Sequence, residues 1–158
     1  MFRELTRKNN EISCEECIEI LRKEKRGVLS VCGTEGYPYA MPMNQWYNEK
    51  DGCIYFHCGK SGHRNDAIAK NSKVSFCVID EGRRNEGEWA YNFRSVIVFG
   101  EAEIIDDLNE VIEITTELSH KFTDDEDYIK KEIESALQKT VLIKLNPNHI
   151  CGKRVKEA

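Results

Sequence analysis

Between Asp51 and Asp66 the chain has no acidic residue, and Lys60, His63 and Arg64 gather there around Gly59 and Gly62. This composition suits a phosphate. Glycines let backbone N–H groups turn toward an anion, Arg64 offers a planar fork to two phosphate oxygens, and a helix beginning at His63 adds partial positive charge. The segment lacks both the Walker spacing that cradles a triphosphate and the GxGxxG of dinucleotide folds, so a single phosphate is the predicted guest. The competing reading is a basic turn facing water.

Two further segments could complete such a site. Residues 36–48, GYPYAMPMNQWYN, contain no charged side chain although 32% of the chain is charged. Tyr37, Tyr39, Met41 and Met43 alternate with Pro38, Ala40, Pro42 and Asn44, so a strand here sets aromatic and thioether groups against small and amide groups. Pro38 and Pro42 cannot donate to a ladder, which puts the strand at an edge, at a bulge, or facing something other than a strand. A flat ring with a polar rim fits that wall; a sheet edge packed under a helix fits it equally. Residues 89–100, WAYNFRSVIVFG, place Arg94 and Ser95 at the entrance of an apolar strand. There the pair can hold an anion, read a ring edge, touch a second subunit or form a surface salt bridge. His57 stands without a carboxylate or second histidine near it in sequence, so no metal set forms around it. Cys14 and Cys17 have the C-x-x-C spacing but no companion pair, and they share the apolar stripe of a helix, which predicts packing rather than metal or thiol chemistry.

Several elements must carry these segments. Ser13 and Glu16 form a capping box before Cys14, Cys17, Ile18 and Leu21, the stripe of a first helix. Strands are predicted at 28–32, 37–47, 53–58, 74–79, 95–104 and 141–145, with Pro147 ending the first part of the last, a turn at 33–36 and a solvated loop at 81–88. Helices are predicted at 63–70, after an Asp106 or Asp107 cap with the stripe Leu108, Val111, Ile112, Thr115, Leu118 and Phe122, and around Ile129, Ile133, Ala136 and Leu137. The expected fold is mainly β: a six-stranded antiparallel barrel with peripheral helices, in one domain over residues 1–158. A net charge of −5 offers no general field for nucleic acid or anionic membrane. No apolar run reaches the ~18 residues of a span, and no signal peptide is visible, so a soluble cytoplasmic protein is expected. Seven scattered cysteines, an odd number, fit reduced thiols.

At these segments the sequence resembles the pyridoxamine 5′-phosphate oxidase-related FMN-binding split barrels, in particular the branch of the 5-nitroimidazole resistance proteins. The resemblance lies in 37–44, in Ile54-Tyr55-Phe56-His57 through Gly62-His63-Arg64, in Arg94-Ser95-Val96 leading to Phe99-Gly100, and in Gly152-Lys153. It implies a homodimer with FMN at the subunit interface. Met41, Pro42, Met43 and Asn44 would touch the isoalloxazine, Phe56 and His57 would flank the ribityl chain, and Lys60, His63 and Arg64 would hold the phosphate. Arg94, Ser95 and Val96 would come from the partner subunit. The Ser-Arg-Lys run of the oxidases proper is replaced by Gly62-His63-Arg64, and their C-terminal Arg/His pattern is absent, so vitamin B6 oxidation is not implied. The expected function is a flavin-dependent oxidoreductase acting on a small flat or electron-poor molecule such as a nitroaromatic, with Trp46 or Tyr47 shaping the pocket and no catalytic triad. The alternatives are a non-catalytic flavin-binding or redox-sensing protein, a haem-binding barrel with His57, His63, His120 or His149 on the iron, and a plain interaction domain that stays colourless when flavin is added.

Overall fold

The predicted capping box is present: the Ser13 side chain accepts from the Glu16 N–H while the Glu16 carboxylate accepts from the Ser13 N–H, and α1 (Cys14–Lys23) starts there. In the computed structural model, which describes residues 1–157, the chain then runs through β1 (Arg26–Cys32), β2 (Pro38–Asn44), β3 (Trp46–Asn48), β4 (Cys53–Gly59) and α2 (His63–Lys70). It continues with β5 (Lys73–Ile79), β6 (Arg83–Arg84), β7 (Tyr91–Ile105), α3 (Leu108–His120), α4 (Glu126–Ala136) and β8 (Thr140–Lys156). Among the described residues, no helix is long and apolar enough to cross a membrane.

All eight strands belong to one antiparallel sheet in the order β2-β1-β5-β7-β8-β4-β3, with the two-residue β6 paired to β7 inside the expected solvated loop. The six expected strands become eight because of β6 and because the expected 37–47 arm divides at Gln45. Its first half pairs with β1 and its second half with β4. Gln45 is fully buried, its backbone N–H donates to the Lys25 carbonyl at 3.0 Å, and its side-chain amide donates to the carbonyls of Leu21 and Glu24 at the end of α1. Those are carbonyls that a helix C-terminus leaves without partners, so α1 and the strand break hold each other. Lys121 donates to the same two carbonyls, adding a cation at the negative end of the helix.

The sheet curls so that β2 and β3, the ends of the order, both come from this divided arm. Inside lie Leu29, Phe56, Phe76, Val98, Ile143 and Leu145, with Phe56 and Phe76 edge to face at 4.9 Å. A smaller cluster on the outer side of β4 and β8 joins Cys53, Tyr55 and Leu142 to Val111 and Ile114 of α3. α3 thus buries Val111, Ile114, Thr115 and Leu118, while Leu108, Ile112 and Phe122 of the expected stripe stay exposed. Only a narrow face meets the sheet, and the second side of the helix meets α4. Pro147 closes the first part of the last strand: β8 continues to Lys156, but its register with β7 shifts between Phe99 and Gly100, which face His149 and Pro147. A bulge accepts a residue without an N–H, and Gly100 lies so close to β8 that a Cβ there would clash with the Asn146 carbonyl oxygen.

Candidate functional site

β4 pairs with β3 only over Cys53–Ile54–Tyr55, so beyond Tyr55 it keeps one edge free, and β2 pairs only with β1. Between these two free edges opens a groove of about 490 Å³, lined by Pro42, Met43 and Asn44 on one side and His57, Cys58, Gly59 and Arg64 on the other. Lys139 and Thr140 close its end. The edge position that the prolines predict for β2 is the wall of this groove.

Arg64 enters it from the first turn of α2. Its Nη1 donates to the Met43 sulfur at 3.5 Å and its Nε to the Asn65 side-chain oxygen at 3.4 Å, but it meets no carboxylate among the described residues. Lys60 and Lys139 are equally free of acidic partners there. Gly62 caps α2 at φ 129° with no side-chain cap, and a Cβ at Gly59 or Gly62 would meet nothing within 4 Å. Arg64 and Lys139 line the open space at the start of α2, whereas Lys60 is exposed on the turn and is not part of the lining; two cations beside a helix N-terminus suit an anion. Asn65, buried, fixes the turn by donating to the Gly59 carbonyl at 2.8 Å.

The remaining predicted residues divide. Met41 and Met43 point into the barrel while Pro42 and Asn44 face outward, and Phe56 is wholly buried, so its side chain serves the core. His57 is exposed on the groove floor and has no hydrogen-bond partner among the described residues; crowding by protein and then the Arg64 charge hold it below the ordinary imidazole value. His63 turns away from the groove. It stacks on Tyr39 at 4.5 Å, and its Nε2 lies 3.3 Å from the Thr34 backbone nitrogen and 3.2 Å from the Glu35 carboxylate, accepting from the first when unprotonated or donating to the second when protonated. Arg94 sits in a different cavity, with Asp80 at 2.8 Å, Glu16 at 3.7 Å and Glu19 at 3.8 Å; the Asp80 hydrogen bond raises its pKa further. Ser95 and Val96 are buried beside it. Trp46 packs on Tyr55 and the α3 cluster, and Tyr47 on the barrel core, so neither lines the groove. His120 pairs with Glu126 and His149 stacks on Phe2.

Lys139, Thr140 and Asn65 were not predicted. Pairing of Gly59 with Thr140 across β4 and β8 brings Lys139 and Thr140 to the turn from about 80 positions away, and no local pattern announces that pairing. Asn65 directly follows His63-Arg64, and its proximity to the basic turn was the available signal.

Cys17 is buried and its thiol pushed up to about 11, first by burial, whereas Cys14 is exposed. Among the described residues no cluster of three or more His, Cys, Asp or Glu side chains is placed to hold a metal.

An antiparallel barrel opened along one seam, with a cationic turn at the opening, is a split β-barrel of the FMN-binding type. The profile of the pyridoxamine 5′-phosphate oxidase family matches residues 13–154, and the chain belongs to that family. Its structure is similar to that of a candidate 5-nitroimidazole antibiotic resistance protein from Bacteroides thetaiotaomicron, at 21% identity and TM-score 0.75 over 93% of this chain and 87% of the other. An FAD-binding protein from Mesorhizobium loti aligns at 21% identity and TM-score 0.67, over 92% and 96% of the two chains. The flavocytochrome Anf3 from Azotobacter vinelandii aligns at 21% identity and TM-score 0.68, over 89% of this chain and 66% of that one. These likenesses establish the shared fold. No curated protein matches the sequence.

Proposed function

We propose that the chain is a flavin-dependent oxidoreductase that holds FMN in the groove between β2 and β4, as a homodimer, and acts on a small flat or electron-poor molecule. The observation that carries this reading is Arg64: a cation without a carboxylate partner, aimed into a groove between two free strand edges. Arg64, Lys60 and the amides of α2 would bind the phosphate, and Lys139 adds a third cation. The exposed edge of β2 from Pro42 to Asn44 would lie along the ring and read its rim with backbone groups. His57 and the backbone at Phe56 would flank the chain between phosphate and ring. Bound there, FMN would supply one- and two-electron redox chemistry. The FAD-binding protein and the flavocytochrome share this fold, which favours a flavin over another phosphate-bearing guest. A compact cluster suited to one phosphate favours FMN over FAD.

A second copy has a surface to meet. Register places Pro42, Val28, Cys77, Ile97 and Cys151 side by side across five strands on the outer face of the sheet. Val28 is 41% exposed, and Cys77, Ile97 and Cys151 are part-exposed. Pro42 also lines the groove. A partner covering this row would therefore wall the groove; of the segment the family resemblance assigns to that role, Arg94 is engaged by carboxylates of its own protomer and Ser95 and Val96 are buried, so the row itself would supply the wall.

The deciding experiment is visible absorption of the purified protein before and after adding FMN, with the released cofactor identified by mass. A two-banded flavin spectrum supports the reading. A protein that stays colourless in excess FMN overturns it, and a haem band moves the site to the histidines.

A further inference from the structure

A second cleft, of about 180 Å³, lies against the groove where the α3–α4 layer ends over the outer face of β4 and β8. His57 and Thr140 line both spaces, so they form a common wall. The two spaces differ in charge. Arg64 and Lys139 face the groove, whereas the cleft has no Lys or Arg in its lining and one charged group, Glu132. Val111, Ile133 and Leu137 make its walls apolar. An anion entering it would lose water without gaining a counter-charge.

The hydrogen-bond inventory narrows the guest further. Thr115 donates to the Val111 carbonyl at 2.5 Å, Ser119 to the Thr115 carbonyl at 2.7 Å, and Thr140 to the Ala136 carbonyl at 3.0 Å. All three hydroxyl protons in the lining are spent on helix carbonyls. His57 is the remaining neutral side-chain donor, since its imidazole has no partner among the described residues. A donor left without a partner beside apolar walls gains most from an acceptor that reaches it. The volume lies below the roughly 300–1,000 Å³ of drug-sized sites, which limits the guest to about one ring.

We propose that this cleft is a second ligand site, for a small uncharged ring bearing one hydrogen-bond acceptor, such as a carbonyl or nitro group, directed at His57. The inference deepens the flavin reading, because it seats the substrate class of that site against the cofactor groove.

The test is a titration of the ¹⁵N-labelled protein, with and without saturating FMN, using acetophenone, ethylbenzene and benzoate as probes. Acetophenone should shift amides at His57, Val111, Ile133 and Leu137, and bind about tenfold more tightly than ethylbenzene, which lacks the acceptor, or benzoate, which is charged. Ala136→Leu, at an exposed helical position lining the cleft, should abolish the acetophenone shifts while FMN affinity, read on the same variant, stays at the wild-type value and reports an intact fold. Acetophenone shifts lying elsewhere, equal binding of benzoate, or undiminished binding in Ala136→Leu would overturn the proposal. Should acetophenone bind in the cleft while FMN fails to bind at all, the cleft stands and the flavin reading falls.

Discussion

Arg64 and Arg94 are the same residue in opposite circumstances. Arg94 is enclosed by three carboxylates, so its charge is spent inside the protomer, while Arg64 meets only a thioether and an amide. Replacing Arg64 by Ala should weaken FMN binding by about ten- to a hundredfold, the range expected for one charge-assisted clamp, as read by flavin fluorescence titration. Unchanged affinity would remove the phosphate from the Gly59–Arg64 turn. The thiols carry a separate, pH-dependent signature. Burial raises Cys17, Cys53, Cys58, Cys77 and Cys151 above the ordinary thiol value of 9.0. As pH rises through 9 the unfolded chain releases these protons and the folded chain keeps them, so stability falls. Lys121 works the other way, since burial lowers it to about 8 and the unfolded chain then holds the extra proton up to the ordinary 10.5. Five thiols outnumber one lysine, and the urea midpoint should drop between pH 8 and pH 10; a rising midpoint would contradict the assigned burial.

Among the elements, the division between β2 and β3 has the largest consequence, because it makes the groove. A continuous strand would pair along β1 or along β4; the break at Gln45 lets one arm do both and leaves the free edges between. Gln45 is held by the carbonyls of Leu21 and Glu24, so the end of α1 is part of the seam. Gln45→Ala should cost about 2–4 kcal/mol in urea unfolding, through an emptied core position and lost donors to the helix end. A loss under about 0.5 kcal/mol, the range of ordinary surface substitutions, would show that the seam does not depend on this side chain.

For the whole molecule, the described residues leave one outer face of the barrel without a helix. α3 covers β4 and β8 on one side, whereas among the described residues no helix covers the row through Val28, Cys77 and Ile97. Phe2 reaches only the neighbouring row, stacking on His149 and lying 5.4 Å from Phe99. We expect a dimer by sedimentation, and Ile97→Glu should yield a monomer with weakened FMN binding, because a charge would lie at the centre of the apolar row. A monomeric wild type that binds FMN tightly would rule out a shared site.

The sequence by itself determined the local parts: the capping box of α1, the edge character of Pro38 and Pro42, the basic turn with Arg64, and the order of most strands and helices. These follow from near-neighbour chemistry, which a short window contains. Tertiary structure decided what the parts face. His63 left the groove side of the basic turn because folding brought Thr34, Glu35 and Tyr39 beside it, and Phe56 went to the core because alternation along β4 met Phe76 on the inner side. Lys139 and Thr140 joined the groove only through strand pairing across some 80 residues. Side-chain partners at that separation are set by register and curl, which depend on the whole sheet rather than on any segment of it.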